Sequence, residues 1–108
     1  MEKKYQDSSY GYREVAVLVS GGFGGGWWTW NIDNEILFDP IIVDFVEANK
    51  VNSIEFDTYM EKTYPDVSTI GADGLYICWV PEGAEFIIEE YDGSETLVLK
   101  SKQLWLTA

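Results

Sequence analysis

Residues 13–31 read REVAVLVSGGFGGGWWTWN, and two opposed tendencies meet inside them. Val15, Val17 and Val19 alternate with Ala16 and Leu18, so both faces of the first half are apolar and most of it is β-branched. That pattern predicts a strand buried on both sides, central in a sheet. From Ser20 the chain changes character: five glycines and three tryptophans fall within residues 20–31. Glycine loses more freedom on folding than other residues, about 0.5–1 kcal/mol relative to alanine. Tryptophan brings one of the largest apolar areas to bury. Placing them side by side needs a reason. One is close approach of a ligand or partner to the backbone; the other is a sharp loop wedged under a neighbouring strand.

Working outward, residues 27–31 and 36–38 read as two further short strands. Asp39-Pro40 then predicts a helix start, because Asp caps free N–H groups and Pro suits the first helical position. Ile42, Phe45 and Val46 share one face of that helix, and Asn49 stops it. A second helix starts at Asn52, where Asn52 and Glu55 have capping-box spacing, and ends at Tyr64-Pro65. Residues 75–80, LYICWV, form a second continuous apolar run and a second central strand. Residues 84–91 and 96–100 read as strands joined by the hairpin turn Asp92-Gly93. With residues 75–80 they predict a three-strand meander. The fold class expected is α+β: a mostly antiparallel sheet with two helices packed on one face, as one small domain over residues 12–108 after a flexible segment, 1–11.

The composition narrows the function classes. The 108 residues hold 19 Asp and Glu against seven Lys and Arg, with no histidine, for a formal net charge of −12. Such a chain repels nucleic acid, whose binding depends on pairing phosphates with cations. A single cysteine, Cys78, excludes an intramolecular disulfide and a cysteine-cluster zinc site. The lack of histidine removes Ser-His and Cys-His nucleophile pairs. No apolar run is long enough for a membrane helix, and residues 1–13 lack the apolar core of a signal peptide. The expectation is a cytoplasmic protein without catalytic activity, metal or cofactor.

The glycine-tryptophan segment fails both standard phosphate-loop patterns. There is no lysine between Lys4 and Lys50 for a Walker A loop, and Trp27 occupies the sixth place of the dinucleotide pattern begun by Gly22 and Gly24. Four readings stay open: a looser cradle of backbone N–H groups, a stacking site on the indoles, a protein interface, and simple packing of the tryptophans in the core. Carboxylates such as Asp33, Glu35 and Asp39 cluster nearby, as expected by chance in so acidic a chain. A bound phosphate would call on Arg13 or one of the lysines; Arg13 lies at the far end of its strand, so a second subunit would have to supply it.

The run GGFGGGWWTWN resembles a G-[FY]-G-x-G-W-x-T-W-N signature of a family of small, mostly uncharacterised bacteriophage proteins. The matching positions are Gly22, Phe23, Gly24, Gly26, Trp27, Thr29, Trp30 and Asn31. LFDP, KTYPD, GADGL, WVPEGAEF and EEYDGSE are similar too, so the likeness spans residues 15–106. The resemblance implies a phage accessory protein acting in the host cytoplasm, and no particular activity. Many such proteins antagonise host defences. The expected function is therefore a non-enzymatic, homo-oligomeric protein that sequesters a small nucleotide-like ligand. Gly22, Phe23, Gly24, Gly26, Trp27, Trp28, Thr29, Asn31 and Arg13 are its candidate binding residues. The alternative is an acidic inhibitor that blocks a basic host surface; a virion or assembly component is a third reading.

Overall fold

Residues 15–20 are all buried in the computed structural model, which describes residues 2–21, 27–28, 34–69, 72–92 and 94–100. They belong to β2 (Arg13–Ser20), which follows β1 (Tyr5–Asp7) and is the middle strand of a three-stranded antiparallel sheet. Its other neighbour is β3 (Leu75–Pro81), with Glu14 opposite Pro81 and Ser20 opposite Leu75. The register sorts the side chains. Val15, Val17 and Val19 share a face with Val80, Cys78 and Tyr76, while Ala16 and Leu18 share the other with Trp79 and Ile77. A strand paired on both edges and apolar on both faces must be covered above and below, as β2 is.

Three helices supply part of that cover: α1 (Asn34–Phe38), α2 (Pro40–Glu47) and α3 (Ile54–Thr63). α1 and α2 pack against β2, and α2 also reaches β3. Asp39 caps α2 as its sequence predicts, accepting from the Ile41 and Ile42 N–H groups at 2.8 and 3.1 Å. Asn49, just past the end of α2, takes the left-handed conformation with φ 56° that ends many helices. Ile36, Ile42, Val43, Phe56 and Met60 join the β2 valines and Leu18 in one core.

β4 (Phe86–Tyr91) and β5 (Ser94–Leu99) form a separate antiparallel hairpin. Phe86 faces Leu99 and Ile88 faces Leu97, so these four side chains share the inner face. The hairpin is fastened to the end of β2. The Glu95 carboxylate accepts from the Ser20 N–H at 3.1 Å, and the Ser94 hydroxyl donates to the Gly21 carbonyl at 3.3 Å. The architecture is α+β with antiparallel sheets, in one domain. Among the described residues no helix is long and apolar enough to cross a membrane.

Four expectations change. Residues 36–38 are helical, not a strand; a short apolar run carries no period that separates the two, and Ile36 and Leu37 are buried either way. The meander is split, because β3 pairs with β2 and β4 leaves the sheet at the Pro81–Gly83 turn, where Gly83 has φ +85°. The N-terminal segment, expected to be flexible, carries β1, and Lys4 beside it bridges Asp44 and Glu47 of α2. The cap of α3 is Ser53 rather than Asn52; its hydroxyl accepts from the Phe56 N–H at 3.2 Å.

Candidate functional site

Two adjacent tryptophans have opposite fates. Trp27 has no exposed surface and its indole Nε1 donates to the Ile36 carbonyl at 3.3 Å, so it is a core residue. The expectation of Trp27 as a stacking platform is therefore corrected: neither face of its ring can be reached from outside. Neither Trp27 nor Trp28 is in a strand. Trp28 is only half-buried, and its ring lines a cleft with Leu37 and Phe38 of α1 and Phe86, Ile87 and Ile88 of β4.

The cleft has a volume of about 470 Å³. Its origin is the departure of β4 from the sheet. Free of β3, β4 lies against α1, and Phe38 meets Phe86 edge-on with centroids 6.4 Å apart. Ile87, on the opposite face of β4 from Phe86 and Ile88, keeps 52% of its surface exposed. Among the described residues the walls are apolar, so they offer contact area and aromatic faces. Outside this lining, the Lys3 ammonium stands over the ring of one wall residue, Phe38, 4.5 Å from the centroid.

The other candidate positions divide into two groups. Gly22, Phe23, Gly24, Gly26, Thr29 and Asn31 lie outside the described residues, as does Trp30. Arg13 is described, and it is at the opposite end of β2 from Ser20, about 23 Å away at strand rise. There it forms a two-pronged pair with Glu82 and covers the Tyr5 ring at 4.1 Å. The hydrogen bond to Glu82 raises the Arg13 pKa further. Within one chain the structure does not bring Arg13 to the cleft.

Two polar clusters were not legible beforehand. Glu95 is almost fully buried, at 1% exposure. Its spacing gave a signal, since it shares a strand face with Leu97 and Leu99, and a charge in that row must be held by donors. Asp39 was expected as a cap, but its second carboxylate oxygen also accepts from the Tyr59 and Tyr64 hydroxyls, each at 2.6 Å. Burial first, then the bond to Asp39, pushes the Tyr59 phenol up to about 12 and Tyr64 in the same direction. These phenols stay protonated and hold two helices together; they form no nucleophile. Burial likewise pushes the Cys78 thiol up, which keeps it protonated and unreactive near neutrality. Among the described residues no group of three or more Asp, Glu or Cys side chains is placed to hold a metal ion. No family model matches the chain, and no curated protein or solved structure matches it.

Proposed function

We propose that this chain is a non-enzymatic binding protein that holds the planar ring of a small, nucleotide-like ligand against Trp28. The observation that carries the reading is the half-open aromatic cleft between α1 and β4, walled by Trp28, Phe38 and Phe86. Its volume of about 470 Å³ lies within the range typical of small-molecule sites, roughly 300–1,000 Å³. Stacking on an aromatic side chain contributes about 1–3 kcal/mol per base and tolerates any base, because every base has a π face. The resemblance to phage accessory proteins supports the same reading, with the host cytoplasm as the place of action and a defence signal as the ligand class.

The test is calorimetric titration of nucleosides and of linear and cyclic nucleotides into the wild-type chain and into Trp28→Ala. Binding of at least one by the wild type is expected, with affinity about tenfold weaker in the variant. Absence of heat for every compound contradicts the reading.

The net charge of −12 favours a second reading, an acidic inhibitor of a basic host surface. Glu89, Glu90 and Asp92 stand exposed near the tip of the β4–β5 hairpin, where such a surface would meet them. Affinity for a captured host partner would then fall steeply with ionic strength. Affinity indifferent to salt removes it.

A further inference from the structure

We infer that Lys3 reads a negative charge at the mouth of the cleft, so that the ligand is a planar ring carrying a single anionic substituent. The inference rests on the ring-binding reading above and specifies its ligand class. The sequence did not single Lys3 out among the lysines on which a bound phosphate could call, because the segment that carries it was expected to be loose. The pairing of β1 with β2 fixes the chain immediately after Lys3, and Lys4 is tied to α2 through Asp44 and Glu47. Lys3 is thereby delivered to the ring of Phe38, one wall of a site formed by residues far away in sequence.

The state of this lysine differs from that of its neighbours. Lys4 is paired with two carboxylates, Arg13 with Glu82, and Lys100 with Glu85. Lys3 has no carboxylate within ion-pair distance among the described residues, although the chain is rich in them; its recorded contact is the face of Phe38. A ring face attracts the ammonium through its quadrupole but takes up none of its charge. The N–H groups directed away from the ring therefore keep their capacity to donate to an anion. Glu82, the carboxylate on which Lys3 acts, is already engaged: Arg13 chiefly holds its carboxyl low by hydrogen bonding, and the charge of Lys3 adds to the effect.

The geometry joins two kinds of recognition on one side chain. Phe38 presents ring surface to the cleft and carries the cation on its face. A ring seated beside Trp28 with one phosphate or carboxylate extending past Phe38 would meet the ammonium without desolvating any carboxylate. One cation offers a partner to one anionic group. The chain's net charge of −12 opposes every further charge on the ligand, so a polyphosphate gains nothing over a monophosphate.

The experiment compares adenosine with adenosine 5′-monophosphate and triphosphate, and guanosine with its 5′-monophosphate, by calorimetry at low salt. Wild type and Lys3→Gln are both titrated. Exposed charge pairs of this kind are worth a factor of about three to five. The monophosphate should bind tighter than its nucleoside by that factor, and the triphosphate no tighter than the monophosphate. Lys3→Gln should erase the preference of monophosphate over nucleoside, the nucleoside serving as the reference in each protein. Equal binding of nucleoside and monophosphate by the wild type overturns the inference and leaves the ring-binding reading standing. A preference that survives in Lys3→Gln also overturns it. If neither nucleosides nor nucleotides bind, the ring-binding reading fails and this inference falls with it.

Discussion

The junction of α2 and α3 and the cleft between α1 and β4 lie one residue apart in sequence, at Asp39 and Phe38, yet they treat their side chains in opposite ways. At the junction every recorded lone pair is used. Asp39 is 3% exposed and accepts from two backbone N–H groups and two tyrosine hydroxyls. At the cleft, aromatic and aliphatic surface is left facing water, with Ile87 half exposed and Trp28 half-buried. A region that satisfies its own polar groups has little polar capacity left to offer a partner. A region that leaves apolar surface uncovered on a chain this acidic is where a ligand gains most by binding. The two neighbouring indoles mark the same divide, since Trp27 is sealed in the core and Trp28 lines the open cleft.

The largest effect that could break this contrast is in stability. Asp39→Ala removes a helix cap and leaves two half-buried phenols without their acceptor. The expected loss is about 3 kcal/mol of folding free energy, read from urea denaturation. Nucleoside affinity of the folded protein should not change. A loss below about 1 kcal/mol would mean that the Asp39 cluster does not carry the junction.

Trp28→Ala should show the reverse profile. Affinity falls about tenfold, as the loss of one stacking partner implies, while stability changes less than it does in Asp39→Ala. A variant that unfolds as readily as Asp39→Ala yet binds nucleosides normally would turn Trp28 into a second core tryptophan.

The smallest effect is confined to alkaline pH. The Tyr59 phenol has a native pKa of about 12, above the ordinary value near 10. A group raised in the native state adds stability below its unfolded pKa and loses it as pH rises through the native one. Stability conferred by this cluster should therefore hold up to about pH 10 and decline between about pH 10 and 12. Tyr59→Phe should flatten that decline. Phenolate absorbance showing both Tyr59 and Tyr64 titrating at the ordinary value in the folded protein would contradict it. Among the described residues the cleft wall holds no titratable side chain, so its ring affinity should not follow the same curve.

How much of this could be read from the sequence follows the range of the interactions. β2 was legible because a continuous apolar run encodes burial on both faces locally. The similar run at residues 75–80 forms the expected strand, but not the expected central one, since among the described residues β3 is the outer strand of its sheet and mostly half-buried. The start of α2 was legible because Asp39-Pro40 acts on N–H groups two and three residues away. The bonds from Tyr59 and Tyr64 to the same Asp39 span 20 and 25 residues and left no local trace. The pairing of β3 with β2 instead of β4 is equally non-local. Turn residues at 81–83 announce a change of direction, but not whether the next strand stays in the sheet. The cleft depends on that choice, so it was hidden. What the sequence did mark was the stretch holding Trp28, and within it the expectation erred at Trp27, because composition cannot tell which of two adjacent rings turns inward.

The most direct test of the account is a titration of isotope-labelled protein with adenosine 5′-monophosphate, followed at the assigned indole N–H resonances of Trp27 and Trp28. The account predicts a saturable shift at Trp28, and at Trp27 only the small response of a ring held to the Ile36 carbonyl in the core. A titration in which Trp28 stays unmoved at saturating nucleotide would contradict it.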